Sequence, residues 1–317
     1  MSGTSGRLRR LAEELEEEGL DLSGIDRDLL IEEIDHALRP PVHERRVPSS
    51  GTIVSPTTDP ATWDAGTGLD ITRMAVGEQP LDAARRFADG LASWLVRGGA
   101  APGEWLVFNR PAGSERDLGV IARTMGATIV QRHPGGLVRI VGEVGVLRWD
   151  GYSWHHEPPV QGWIDIVRAC KHPHDIVLLQ HLLEFAVHDL GANGIGALLV
   201  YRDDTSNGPT VEHRLPTPPP LHIDKPMHLA PLRHALTQID GAAVFDVTGV
   251  LRHLGVRLIP SGDAERDVDG YRGTRHTSGR RYSYDDPAST VIAVSEDGPV
   301  SVFRRGKILG RSDAVGD

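Results

Sequence analysis

The first apolar pattern in the chain is helical. Leu8, Leu11 and Leu15 fall on one face of residues 7–19, with acids between them and Gly19 as the stop. Residues 23–38 repeat the pattern with Leu29, Leu30, Ile34 and Leu38, and Pro40-Pro41 ends it. The acidic run 13–18 reads as a solvated helix face. Residues 41–68 are rich in Pro, Ser, Thr and Gly and read as a linker or long loop. A compact α/β unit follows between Asp70 and Val160. Its helices are predicted at 81–97, with Ala84, Phe87, Leu91 and Leu95 on one face, and at 115–125. Its strands are predicted at 104–108, 127–131, 137–141 and 144–149. Trp149-Asp150-Gly151 is a turn signal with Trp154 packing behind it.

Further helices are predicted at 161–170 and 174–190, the second stopped by a left-handed Gly191. The run Ile195-Gly196-Ala197-Leu198-Leu199-Val200-Tyr201 is almost continuously apolar, as expected of a central strand buried on both faces. Prolines from Pro216 to Pro220 make a stiff loop, and Leu232 and Leu236 mark a short helix over 230–238. Asp240-Gly241-Ala242 opens a strand to Val247. A Thr248-Gly249 turn then returns a strand to Ile259, and residues 261–271 read as a polar loop. A helix is predicted from Gly273 to about residue 284. Residues 291–295 and 300–304 close a hairpin around Glu296-Asp297-Gly298.

Composition narrows the class. A length of 317 residues suggests two domains of ordinary size, and 39% hydrophobic with 25% charged residues is usual for a soluble globular protein. The formal net charge of -10 argues against nucleic acid or an anionic membrane as main partner, while leaving room for a local basic site that takes a small polyanion. The single cysteine, Cys170, excludes an intrachain disulfide and fits a reducing cytoplasm. No run reaches the apolar length of a membrane span, and residues 1–9 lack a signal-peptide core.

Several suggestive groups have plainer readings. His155-His156-Glu157 could start a metal site but lacks a matching ligand pair, so an edge segment is the better reading. His174, His181 and His188, with Cys170 and His172 nearby, invite a zinc reading. Their spacing puts neighbours roughly two turns apart, too far to share one ion. Cys170 reads as a small buried apolar residue. Gly191, Gly194 and Gly196 follow a helix and precede a strand, the wrong context for a dinucleotide fingerprint.

Two strings carry chemistry that the plainer readings do not exhaust. Asp240-Gly241-Ala242 is a carboxylate followed by two residues with almost no side chain, so a ligand can approach the backbone while the acid points at it. Gly273-Thr274-Arg275-His276 sets a hydroxyl, a guanidinium and an imidazole at a helix start, which suits phosphate. Taken singly, Asp240-Gly241 and Asp297-Gly298 could be turns, and Arg275-His276 a surface pair. In order, Gly196-Ala197-Leu198, Asp240-Gly241-Ala242, Gly273-Thr274-Arg275-His276 and Ser295-Glu296-Asp297 resemble the motifs of diadenylate cyclase (DAC) domains of the DisA N-terminal type, over about residues 176–309.

The resemblance implies an α/β fold in which a small N-terminal α/β domain precedes a cyclase-like domain with a mixed central sheet flanked by helices. The division expected is a helical segment and linker over 1–68, a sensor domain over 69–160 and the nucleotide-binding domain over 161–317. It further implies condensation of two ATP into the second messenger cyclic di-AMP. Asp240, Arg275 and His276 would be catalytic. Gly196, Ala197, Leu198, Gly241, Ala242, Gly273, Thr274 and Ser295 would bind ATP. Asp240, Glu296 and Asp297 would hold a divalent metal, Mg2+ or Mn2+. Since one domain binds one ATP, a homodimer or higher oligomer with facing sites is expected. The chain departs from the family pattern at Ile239, where a histidine is usual, and at Thr277, where a second arginine is usual; Arg280 and Arg281 lie one turn on, with Arg280 as the expected substitute. It has Glu296-Asp297 where two glutamates are usual. Two readings therefore stand: a cyclase controlled by its N-terminal domain, or a module that binds ATP or a cyclic dinucleotide without turnover.

Overall fold

The computed structural model describes residues 6–20, 26–42, 44–45, 47–98, 103–143, 145–157, 159–169, 176–202, 211–212, 215–296 and 298–311. Residues up to Pro159 make one unit and those from Val160 a second. Among the described residues, no helix is long and apolar enough to cross a membrane.

The first unit has strands β1 (Ser50–Val54), β2 (Ile71–Ala75), β3 (Ser93–Arg97), β4 (Glu104–Phe108), β5 (Thr128–Arg132), β6 (Val138–Gly142), β7 (Gly145–Trp149) and β8 (Trp154–Glu157). They form one sheet in the order β2-β4-β3-β1-β5-β6-β7-β8, in which only β1 and β3 run parallel. Strand alternation sorts the apolar residues onto two faces. Val54, Val130, Ile140 and Leu147 pack under helices α1 (Gly6–Glu17) and α2 (Arg27–Leu38). Their neighbours Ile53, Ile129, Val141 and Val146 pack under α3 (Trp63–Thr67) and α5 (Glu115–Met125).

Two expectations fail here for identifiable reasons. The segment read as a linker contains β1, which sits mid-sheet between β3 and β5. Its small residues serve close packing: a Cβ on Gly51 would collide with the Gly90 backbone and the Trp94 ring, and Thr52 donates to the buried Glu33 at 2.8 Å. The helix expected over 81–97 breaks into α4 (Leu81–Arg85) and β3. Asp89 Oδ1 accepts the backbone N–H groups of Leu91, Ala92 and Ser93 at 2.8–2.9 Å, and Gly90 turns the chain at φ +71°. β8 is an edge strand, but Glu157 in it is buried and pairs with Arg148 at 3.5 Å.

The second unit has strands β9 (Ala197–Arg202), β10 (Val211–Glu212), β11 (Ala242–Phe245), β12 (Leu251–Leu258), β13 (Ser289–Val294), β14 (Val300–Arg304) and β15 (Lys307–Arg311). Their order is β10-β12-β11-β9-β13-β14-β15, again mixed, with β9 and β11 the parallel pair. The apolar run in β9 is central, as its pattern predicts. Leu199, Tyr201, Ala243 and Phe245 face α6 (Val160–Ala169), α7 (Ile176–Phe185) and α8 (Pro226–Leu236). Leu198, Val200, Ala242 and Val244 lie on the other face with Tyr282 of α10 (Thr274–Asp285).

Three local features differ from expectation. The polar stretch 261–271 contains α9 (Gly262–Asp267), started by Ser261 Oγ accepting the Ala264 N–H at 3.0 Å. β15 extends the closing hairpin, and a Cβ on Gly310 would strike the Trp163 ring. Gly191 is right-handed at φ -56°. The helix runs on through a π-type turn, Ala186–Leu190, and Gly194 makes the left-handed stop at φ +64°. Gly191 is needed for another reason: a Cβ there would lie 2.7 Å from the Gly298 carbonyl oxygen. Cys170, His172 and His174 lie outside the described residues. Among those described, no group of three His, Cys, Asp or Glu side chains is placed to hold a metal.

Candidate functional site

The site begins where α8 hands the chain to β11. Gly241 has φ +109°, and a Cβ on it would sit 2.7 Å from the Gly255 carbonyl carbon and 3.0 Å from the Val256 oxygen. Glycine is thus demanded by the approach of β12, which is irregularly paired with β11 here, rather than by room for a ligand. Asp240 is exposed beside it, with one carboxylate oxygen accepting the Gly241 N–H at 2.9 Å. Ile239 packs against the second unit's core, its Cγ2 3.0 Å from where a Cβ of Gly255 would be.

The start of α10 supplies the second part. Gly273, at φ +102°, opens it and, having no side chain, places no side-chain cap over the first turn, where the helix dipole favours an anion. Thr277 Oγ1 accepts the Tyr271 N–H at 2.9 Å and donates to the Tyr271 carbonyl at 3.1 Å, which pins the preceding loop. His276 is buried, edge-on to Tyr271 and Phe303 with centroids 5.9 and 6.1 Å away. The far end of the helix is tethered through Asp286, which takes the Tyr282 hydroxyl at 3.3 Å and Arg202 at 2.8 Å. Burial and the Asp286 charge both push the Tyr282 hydroxyl pKa well above its ordinary value.

Gly196, just before β9, is a seat for Arg275. A Cβ there would strike the Arg275 guanidinium and lie 2.8 Å from Glu296 Cγ. Arg275 and Glu296 stand 3.6 Å apart across it. The hairpin that carries Ser295 and Glu296 is closed by Ser295 N–H to the Pro299 carbonyl at 2.9 Å and Gly298 N–H to the Ser295 carbonyl at 3.1 Å.

These segments bound a cleft of about 980 Å³, lined by Leu198, Asp240, Gly241, Ala242, Gly273, Thr274, Arg275, His276 and Ser295. A second hollow of about 500 Å³ shares Asp240, Gly241 and Arg275 and adds Gly196, Ile239 and Glu296. Of the residues singled out by sequence, Ala197 lines neither hollow and is buried in β9, and Asp297 lies outside the described residues.

The cleft also holds Arg257 and Arg272, which the sequence did not single out, and Arg281, which it placed one turn on beside Arg280 without making it the substitute. Arg281 donates to the Val268 and Glu265 carbonyls at 3.1 and 3.4 Å. Arg272, at φ +42°, lies 5.6 Å from the Tyr271 ring centroid, and Arg257 is 3.8 Å from Glu212. Arg280, the expected substitute for the missing arginine, does not line the cleft. It is tied to the Gly306 and Asp269 carbonyls at 2.8 and 3.2 Å. The one available signal for Arg272 was that it flanks the phosphate-type string; Arg257 arrives from a strand and carried none.

The matches to known families fall one on each unit. Residues 9–157 match the family described as "Probable sensor domain DACNK", and residues 184–308 match "DisA bacterial checkpoint controller nucleotide-binding". No curated protein matches. Among solved structures, a hypothetical membrane spanning protein from Bacillus cereus is 18% identical, with 45% of this chain and 74% of that one covered and a TM-score of 0.31. A double mutant of DacA from Staphylococcus aureus is 22% identical, with 44% and 87% covered and a TM-score of 0.28. The chain thus carries a DAC domain at residues 184–308 and a DACNK probable sensor domain at 9–157.

Proposed function

We propose that the second unit condenses two ATP molecules into cyclic di-AMP with release of pyrophosphate. One observation carries this reading: Asp240, the start of α10 and Ser295, distant in sequence, converge on one cleft with four arginines. In each of two equivalent steps, the 3′-hydroxyl oxygen of one nucleotide attacks the α-phosphorus of the other. A new P–O bond forms, the bond to the β-phosphate oxygen breaks, and pyrophosphate leaves while the hydroxyl proton passes to water. The first-turn N–H groups of α10 and the Arg275 guanidinium hold phosphate oxygens, and charge grows on them as pyrophosphate departs. Arg257, Arg272 and Arg281 add positive charge where a second motif arginine is absent. Leu198 offers an apolar wall to the base. His276, held between two rings, orients the first turn.

The donor set suits a hard divalent cation. Asp240 and Glu296 both line the smaller hollow, and two carboxylates completed by phosphate oxygens make a usual Mg2+ site. Such an ion, Mg2+ or Mn2+, would acidify the 3′-hydroxyl and neutralise the triphosphate. One cleft serves one ATP, so two copies must present their clefts to each other, which makes a two-fold dimer part of the working enzyme. The cytoplasm, where ATP is available, is its proposed location.

The second reading, binding without turnover, is favoured by Ile239, whose apolar packing leaves no ligand at that position. Product analysis after incubation with ATP and Mg2+ or Mn2+ separates the two. Cyclic di-AMP is expected, falling at least about a hundred-fold in Asp240→Asn while ATP binding persists. Saturable ATP binding without product, in a sample that dimerises, would establish the second reading.

A further inference from the structure

The first unit has a hollow of its own, about 380 Å³, between the start of α1, the end of α2 and the β7–β8 hairpin. Its floor is aromatic. Trp149 and Trp154 lie 5.2 Å apart at 51°, Trp154 is buried, and Trp149 is half-buried. Its rim is cationic. Arg7, Arg10 and Arg39 line it with Glu14. Asp35 holds Arg7 at 2.5 Å and Arg39 at 2.8 Å, each through one guanidinium nitrogen, so both forks are anchored with donors to spare. Arg10 is exposed and reaches the Gly6 carbonyl at 3.4 Å, a weak bond that engages one of its five donors. Glu14 accepts the Trp154 indole N–H at 3.0 Å through one oxygen. Three guanidinium groups thus face two carboxylates, a local positive excess on a chain of net charge -10.

We propose that this hollow binds a small planar anion: a ring that stacks on Trp149 and carries a phosphate or carboxylate for the three arginines, the chemistry of a nucleoside monophosphate. Each component has its partner. Base–aromatic stacking tolerates any planar face, guanidinium forks match phosphate and carboxylate oxygens, and the second oxygen of Glu14 accepts a ring amine or sugar hydroxyl. The volume lies at the small end of ligand clefts, which suits one nucleotide. The anchoring of Arg7 and Arg39 by Asp35 orders two donors before the ligand arrives, so less freedom is lost on binding.

The test is a tryptophan-fluorescence titration of the full chain with AMP, adenosine and inorganic phosphate, repeated on Arg10→Gln and Trp149→Phe. The expected result is a saturable change with AMP that vanishes in Trp149→Phe. In Arg10→Gln, AMP should bind at least about ten-fold more weakly, as should adenosine to the unaltered chain. Phosphate alone should leave the signal unchanged yet compete with AMP. Arg10 is exposed, so Arg10→Gln should keep the wild-type melting temperature, separating lost binding from lost fold. No saturable change with AMP would overturn the proposal. So would an AMP response equal in all three proteins, which would place AMP at the nucleotide cleft of the second unit, and so would adenosine binding as tightly as AMP.

Discussion

Both units are mixed sheets with one parallel pair near the middle, and both gather arginines, yet they use them in opposite ways. In the first unit Arg85 and Arg97 meet the buried Glu33, and Arg148 meets Glu115 bidentately at 2.6 and 2.7 Å. There the cation is matched by a carboxylate inside the fold, and the pair is structural. In the cleft of the second unit, Arg281 is held by backbone carbonyls, and Arg275 and Arg257 meet carboxylates only at 3.6 and 3.8 Å. A carbonyl orients a guanidinium without cancelling its charge, so the fork stays ready for an anion. In these two sets a buried carboxylate partner marks scaffold; the exposed Arg7 and Arg39, which share the single carboxylate of Asp35, fall outside that class.

The sharpest way to break this contrast is to remove a carboxylate from the first unit. Glu33→Ala should cost about 3–5 kcal/mol of that unit's stability in denaturant, because two guanidinium groups are left without their buried partner. Burial by itself would push the Glu33 carboxyl up, but the hydrogen bonds and charges of Arg85 and then Arg97 hold it below the ordinary 4.5. The sign follows from this depression. The contribution is fully present above about pH 4.5 and is lost as pH falls through the folded-state value. Denaturation midpoints of the wild type and Glu33→Gln should therefore converge on acidification. A gap that stays constant with pH would refute the depressed value.

A smaller effect is expected where a glycine seats a site arginine. Gly196→Ala pushes a methyl group against the Arg275 guanidinium, the mobile end of a long side chain, so the fold should lose little. Cyclic dinucleotide synthesis should fall about ten- to a hundred-fold as the fork is displaced. Loss of stability in step with activity would make Gly196 a packing residue only. The mildest change sharpens the contrast between adjacent arginines. Arg281→Gln should weaken ATP binding about ten-fold, whereas Arg280→Gln, whose guanidinium is tied outside the cleft, should leave ATP affinity close to wild type. Equal losses in both would mean that the cleft does not discriminate between them.

Legibility followed the source of each element's order. The strand Glu104–Phe108 and the helix Glu115–Met125 were readable to the residue, since the helix is bounded by a capping Ser114 and a left-handed Gly126. β1 was not, because Ser50-Gly51-Thr52 has loop composition and becomes a strand only through Trp94, Gly90 and Glu33. The helical spacing of Ala84, Phe87, Leu91 and Leu95 was real but overruled. Asp89 offers the backbone a stronger local arrangement, and Phe87 ends 62% exposed while Leu95 is buried in β3.

By itself the sequence determined the order of motifs, the central position of β9, the start of α10 and the family they indicate, because each depends on residues close together in the chain. Only the tertiary structure decided that Gly196 seats Arg275 and that Gly241 yields to the backbone of β12. The same holds for Arg281, which lines the cleft where Arg280 does not, and for the two tryptophans that meet three arginines in the first unit. Those facts concern the distance between segments that the chain keeps far apart. Local propensity carries no information about such distances, and packing fixes them only once the sheets have formed.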